Sequence, residues 1–399
     1  MPFHVDPSGT VEVFNAAKRL EERGVHLFHL EVGELDVPTP EYVVDAAVEG
    51  LRAGHTRYGP TRGNGDLRRQ VVEKERARYG LDWLDPDANV LVTPGAKFGL
   101  FLGLLALLEK GDEVVVFSPS YPSYRSVPKA LETKIREVSI LRGARTVPTD
   151  EIFEDFRSKV NEATRVVIMN GPCNPTGQVI GPKLVGLLWE LAQEFPRLWF
   201  LADDVYEQFI YPPATFNSVA RHDADLSRTI LVNGLSKSFC MTGFRVGWVV
   251  ANSEVVTALE RIQQNSVTCV PPFVQDAAEV ALRSMNEGWP EYLAFRRALM
   301  EDLLTRRALT LERLEGIDGV TCNENEGAFY AFPDVTGVTP DDELFCLELL
   351  KRGVALTPGS AFGAGGSGHV RVAFTRPVEE IARAMDVLEE FCAEKKQGS

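Results

Sequence analysis

Six short runs of apolar residues punctuate the middle of the chain: 89–93 (NVLVT), 113–117 (EVVVF), 165–169 (RVVIM), 198–202 (LWFLA), 229–232 (TILV) and 245–250 (RVGWVV). None alternates apolar with polar. Strands buried on both faces have that pattern, so the runs predict a mostly parallel sheet covered by helices. Amphipathic stretches lie around and between them. Thr39 and Pro40 open one as N-cap and first-turn proline, with Val43, Val44, Ala47, Val48 and Leu51 on one face and Gly54 beyond its end. A second runs over 182–195, with Leu184, Leu187, Leu188 and Leu191 inward and Pro196 as its stop. The longest apolar stretch, 98–108, contains Gly99 and Gly103 and is too short to span a bilayer, so it predicts a buried core helix.

The pattern changes after about residue 275. A long charged helical stretch covers 292–314, then come the shorter strand-like segments GAFYAF and HVRVAF. A last amphipathic helix carries Val378, Ile381, Met385, Leu388 and Cys392. At roughly 100–200 residues per domain, 399 residues suggest two. The expected division is a large α/β domain over 46–275 and a smaller α+β domain built from 1–45 and 276–399.

Charge and cysteine content narrow the function. The formal net charge is −15, from 42 basic and 57 acidic residues, with no basic block. That balance argues against a nucleic-acid or anionic-membrane surface. The pair Lys395–Lys396 reads as a solvated tail. The six cysteines form no C-x-x-C and none lies within four residues of a histidine, so neither a zinc site nor a disulfide framework is expected. The first ten residues have no basic start and no apolar stretch, so no signal peptide is expected, and a reducing cytoplasm suits the free thiols.

Chemistry-bearing residues collect where the apolar runs end. Lys237 follows the run 229–232. In an open α/β sheet ligands bind at the carboxyl ends of the strands, and a lysine desolvated there becomes a nucleophile toward an aldehyde. Alone, a surface lysine is the commoner reading. Arg245, eight residues on, offers a fork for a phosphate. In VTPGAKFGL a strand, a glycine turn and a helix start follow one another, which would aim the backbone N–H groups of Ala96 and Lys97 outward at a helix N-terminus. This is neither a P-loop nor G-x-G-x-x-G, and it also fits an ordinary turn. Asn174 sits in an Asn/Pro/Gly-rich turn after 165–169. Asp203 closes the run 198–202, where a buried carboxylate needs a partner such as a protonated ring nitrogen, with Tyr206 three residues on. Asp203 and Asp204 fit a helix cap or an exposed pair as well. Together the strand ends supply a lysine, a phosphate cradle, an amide donor and a buried carboxylate, the set that pyridoxal 5′-phosphate requires.

Over nearly its whole length the chain resembles the fold type I, class I/II aminotransferases. SKSFCMTGFRVGW is similar to that family's Schiff-base lysine signature, which makes Lys237 the lysine, Arg245 the phosphate arginine and Ser236 a weaker cofactor contact. CNPTG resembles the N-P-T-G element and assigns Asn174 to the ring hydroxyl. DDVY resembles D-E-x-Y, with Asp203 as pyridine partner and Tyr206 on the ring hydroxyl. In RYGPTRGNGDLRRQV the resemblance places Tyr58 at the phosphate of a partner subunit. It gives Tyr121 of SPSYPSY the role of stacking on the ring, Arg371 of HVRVAF the substrate α-carboxylate, and Gly33 of LEVGELDVPTP a place lining the substrate site. The resemblance implies a seven-stranded, mostly parallel sheet, a smaller α+β domain, pyridoxal 5′-phosphate, a homodimer, and ping-pong transfer of an amino group between amino acids and 2-oxo acids.

DPSGTVEV and GAKFGL are similar to the bacterial aspartate/prephenate branch. There the lysine matching Lys97 helps bind a distal carboxylate, with hydroxyls near Ser8 and Thr10. Leu35, Tyr121, Cys173 and Gly234 depart from the family pattern, and each is expected on the substrate side. β-Elimination, decarboxylation or oxidative deamination on the same scaffold stands as the alternative. A non-catalytic cofactor-binding protein and a nicotinamide dehydrogenase stand behind it, the latter without G-x-G-x-x-G after a strand. GAGGSG at 363–368 reads as a flexible loop near Arg371.

Overall fold

The computed structural model describes residues 9–397. The central sheet has seven strands: β1 (Val90–Thr93), β2 (Glu113–Ser118), β3 (Lys134–Ser139), β4 (Thr164–Asn170), β5 (Trp199–Asp203), β6 (Thr229–Gly234) and β7 (Gly247–Val250). Their order is β1-β7-β6-β5-β4-β2-β3. Every neighbouring pair is parallel except those of β7, which runs antiparallel to β1 and β6. Six strands lie on the six apolar runs, displaced by one or two residues. The seventh, β3, carries exposed Lys134 and Arg136 among half-buried residues, with only Val138 fully buried, because it is an edge strand. β7 is shorter than its run: Arg245 has φ +53° and closes a 3₁₀ turn (Thr242–Phe244), so the chain bends before the strand begins.

Helices cover both faces of this sheet with buried side chains, among them α1 (Glu41–Arg52), α2 (Ala96–Leu107) and α3 (Pro272–Asn286). α2 is the predicted core helix, and Leu100, Leu102, Leu104 and Leu107 pack on the sheet with Val232, Val249 and Ile230. α1 opens one residue later than predicted, with Pro40 at the cap. The Thr39 hydroxyl does not cap it and instead donates to the Cys240 carbonyl at 2.8 Å, tying this segment to the loop after β6.

A second apolar cluster gathers Leu30, Leu35, Tyr206, Phe209, Leu299, Leu303, Phe345, Phe374, Met385 and Phe391. It is framed by α4 (Pro290–Gly316) and α5 (Val378–Gln397), and by a small antiparallel sheet of β8 (Tyr330–Ala331), β9 (Thr357–Pro358) and β10 (Val370–Ala373). Phe28 and His29 pair in parallel with Val354 and Ala355. Lys395 and Lys396 are in α5 and form ion pairs with Glu348 and Asp318, so they are not a free tail. Residues 363–368 are a packed turn: a Cβ at Gly366 would lie 2.0 Å from the Gly359 carbonyl, leaving no room for a loose loop. Among the described residues no helix is long and apolar enough to cross a membrane.

Candidate active site

Strand register places the chemistry. Asn170, the last residue of β4, pairs with Asp203, the last of β5, and its amide donates to the Asp203 carbonyl at 2.9 Å. β6 ends beside them and runs into Lys237 two residues after Leu235. These ends and the N-terminus of α2 open into one cavity of about 350 Å³. Gly33, Ala96, Lys97, Tyr121, Asn174, Asp203, Tyr206, Ser236, Lys237, Arg245 and Arg371 all line it. Tyr58 does not: its side chain is 89% exposed on the surface of the single chain. Ser8 lies outside the described residues, as does the side chain of Thr10.

Lys237 Nζ donates to the Gly33 carbonyl at 2.7 Å. Withdrawal from water is the largest influence on this amine, followed by the positive charge of Arg371; together they bring it down to about 8. Near neutrality such a lysine holds an accessible fraction of free amine. Asp203 is 4% exposed. Its Oδ2 accepts from the Tyr124 hydroxyl at 2.7 Å. Burial pushes its carboxyl up to about 6, against the opposing pull of the Tyr124 phenol. Asp204 is also buried, so neither aspartate is an exposed pair. It faces the opposite way and accepts from Tyr79 at 2.6 Å, within a closed group that includes Lys74, Glu75 and Glu207.

Arg371 on β10 is 4% exposed. Its Nη1 donates to Asn174 Oδ1 at 2.9 Å and its Nη2 to the Glu31 carbonyl, while its buried Nε has no partner. Asn174 is itself fixed, its backbone N–H donating to Asn170 Oδ1 at 2.9 Å. At the opposite end, Arg245 donates to the Thr242 carbonyl at 2.8 Å and lies against the start of α2. Gly95, the residue before α2, has φ +79°, and a Cβ there would sit 2.7 Å from an Arg245 nitrogen. Backbone and guanidinium thus approach more closely than any side chain allows. The result is a concave site with helix N–H groups and an arginine at one end and a partnerless arginine N–H at the other. A lysine and a buried carboxylate lie between. This donor set fits pyridoxal 5′-phosphate with an amino-acid carboxylate beside it.

Comparison with known proteins gives the same answer. The family model "Aminotransferase class I and II" matches residues 25–388. The chain belongs to the class I and II aminotransferases. It is 34% identical over 380 residues to an aspartate aminotransferase of Pyrococcus horikoshii, covering 95% of this chain and 93% of that one. It is 35% identical to aromatic-amino-acid aminotransferase 2 of Thermococcus litoralis, over 98% and 97% of the two chains. The solved aspartate aminotransferase of Thermus thermophilus with maleate superposes with a TM-score of 0.88 at 32% identity, covering 97% of each chain. The chain is therefore an aminotransferase with the fold type I architecture, of a family that uses pyridoxal 5′-phosphate, and its substrates are amino acids and 2-oxo acids.

One expectation about this aminotransferase needs correction. Of the four departures from the family pattern, only Tyr121 lines the cavity. Leu35 is buried in the second apolar cluster, Cys173 is buried with its thiol toward the Pro119 carbonyl, and Gly234 is crowded by the Val246 carbonyl at 3.0 Å from any Cβ. They are packing substitutions rather than substrate contacts. Sequence reasoning also passed over Tyr124 and Tyr330, both buried and both lining the cavity. Removing the Tyr124 donor leaves Asp203 with less support for its charge. Tyr124→Phe should therefore move the acid limb of the kcat/KM–pH profile upward by about one unit, the worth of a hydrogen bond to a charged group. A profile superimposable on the wild type would show that this contact does not act on Asp203.

Proposed function

We propose that this aminotransferase takes an acidic amino donor, L-aspartate in the first instance, and works as a cytoplasmic homodimer. The observation that carries the acidic reading is Lys97. Its ammonium is exposed at the cavity, 5.8 Å from the centre of the Tyr121 ring, with no carboxylate partner among the described residues. A second carboxylate on the donor supplies one. The relatives named aspartate aminotransferase support the same choice. The dimer is supported by Tyr58, an aromatic side chain far more exposed than such rings usually are on a single chain. The compartment is supported by six free cysteines.

The roles proposed for the chain's own groups follow from where they sit. Arg245, Ser236 and the N–H groups of Ala96 and Lys97 would hold the cofactor phosphate, and Tyr121, Asn174 and Tyr206 its ring, with Tyr58 reaching the partner subunit's site. When bound, pyridoxal 5′-phosphate supplies an aldehyde that takes up the amino group and a ring that accepts the electron pair of the substrate Cα–H bond. Asp203 keeps a negative charge at the floor of the site, where a ring nitrogen would be held protonated. Arg371 and Asn174 orient the donor by its α-carboxylate, the partnerless Nε of Arg371 being ready for a carboxylate oxygen. Gly33 leaves space and offers the carbonyl on which the Lys237 amine rests. Lys237, once released, takes the α-proton and returns it, and its lowered proton affinity suits that exchange near pH 8.

Lys97→Ala tests the substrate reading. Loss of a charged contact worth about 1.5–3 kcal/mol predicts a roughly 10- to 100-fold rise in KM for L-aspartate, with L-alanine within about twofold of the wild type. An equal effect on both donors removes the acidic reading. A KM for L-phenylalanine below that for L-aspartate in the wild type points instead to an aromatic donor, which the rings of Tyr121, Tyr124 and Tyr330 would accommodate.

A further inference from the structure

Tyr206 and Tyr330 meet hydroxyl to hydroxyl at 2.7 Å, both buried. They come from different parts of the fold: Tyr206 follows β5 in the large sheet, and Tyr330 begins β8 beside the substrate arginine. A phenol has one proton, so only one of the two donates in this contact. The surroundings decide which. Burial raises the proton affinity of Tyr330, but the Arg371 guanidinium lies over its ring, 4.6 Å from the centre, and its charge opposes that rise. Tyr206 has Asp203 nearby, and burial and negative charge hold its own proton tightly. Either hydroxyl could donate on geometry alone, and the Arg371 charge over the Tyr330 ring favours Tyr330 as donor and Tyr206 as acceptor. The Tyr330 oxygen has no other hydrogen-bond partner among the described residues. It is also walled in by Gly33, where a Cβ would lie 2.0 Å away.

We propose that Tyr330 is a positioning residue: by donating to Tyr206 it turns the single Tyr206 proton into the cavity, toward the cofactor's ring hydroxyl. This rests on the role given to Tyr206 above. Without Tyr330, Tyr206 is free to rotate its hydroxyl away, and its support for the ring oxygen becomes partial. The arrangement also explains why position 33 has no side chain, since anything larger would push the Tyr330 hydroxyl off Tyr206.

The test is a spectrophotometric pH titration of the full-length, cofactor-loaded protein, reading the absorption change of the lysine-bound cofactor. Tyr206→Phe removes the donor outright and is expected to raise the midpoint. Tyr330→Phe keeps the ring under Arg371 and removes only the hydroxyl. It is expected to shift the midpoint the same way by about half a unit, a roughly threefold change in proton affinity. The double variant is expected to match Tyr206→Phe alone, because Tyr330 acts only through Tyr206. Tyr330→Phe at the wild-type midpoint, or a double variant with additive shifts, overturns the inference while leaving the role of Tyr206 standing. An unmoved midpoint in Tyr206→Phe overturns both. Near-ultraviolet circular dichroism of each variant reports whether packing survives. Should Tyr330→Phe lose it, Gly33→Ala, which displaces the hydroxyl sterically, reads the same midpoint with the same expected direction, and no shift there overturns the inference.

Discussion

Lys237→Ala should leave a folded protein with transamination reduced by at least about four orders of magnitude. Two proposed functions depend on this amine: covalent capture of the aldehyde, and movement of the substrate α-proton. General acid–base catalysis alone is worth about 10²- to 10⁴-fold, and nucleophilic capture adds to it. No neighbour can substitute. Lys97 lies near the Tyr121 ring, and Arg245 is committed to the Thr242 carbonyl. Folding should not suffer. The amine's proton affinity is lowered to about 8 in the folded chain, chiefly by loss of water, so its charge is a cost that alanine removes. Reduction with borohydride, followed by mass measurement of the chain, checks the point: the wild type retains the cofactor covalently and Lys237→Ala does not. Cofactor retained on the variant would mean that another lysine forms the bond.

Asp203→Asn should separate activity from stability more sharply than any other single change. Its kcat/KM should fall by at least about a thousandfold, because an amide brings no charge to the floor of the site and a buried charge partner is worth several kcal/mol. In the cofactor-free protein the same change should stabilise the fold at neutral pH. The Asp203 carboxyl rises from 3.8 to about 6 on folding, through burial. At pH below about 4 it is protonated whether folded or not, and costs nothing. As pH rises from 4 to 6 the unfolded chain gives up the proton more readily, so stability falls, and above 6 the loss is complete. Asparagine removes that loss, roughly 1–3 kcal/mol, and a higher Tm is expected at pH 7.5, shrinking toward pH 4. Equal Tm values at pH 7.5 would show that burying the Asp203 charge costs the fold nothing. A higher Tm in Asp203→Asn, together with the loss of activity, would show that the fold carries a destabilised carboxylate for the sake of its chemistry.

Much of this architecture is legible in the chain because it is built from strands buried on both faces. Such strands are short, apolar and continuous, and the segment just beyond each parallel one lies at the sheet edge where ligands bind. Asp203 and Lys237 stand out for that reason, as does Asn174 in the turn after β4. What escapes is whatever depends on partners far along the chain. Tyr124 reaches Asp203 across 79 residues, and Tyr330 reaches Tyr206 across 124. A lone tyrosine in an apolar segment usually signals core, and only the spacing of Tyr121 and Tyr124, one helical turn apart, hints that both face the cavity. β3 escapes because its outward face is charged. The glycines at 363–368 mislead in the other direction, since close backbone packing and looseness look alike in sequence.

The central claim is that Lys237, Asp203 and Arg371 surround a cofactor that exchanges an amino group and is left in its amino form. The most direct measurement adds one L-amino acid, with no oxo acid, to the purified cofactor-loaded protein while following its absorption. Loss of the lysine-bound band, with one 2-oxo acid and one pyridoxamine 5′-phosphate formed per site, is the predicted result. A band that persists while ammonia, carbon dioxide or an aldehyde accumulates would contradict it.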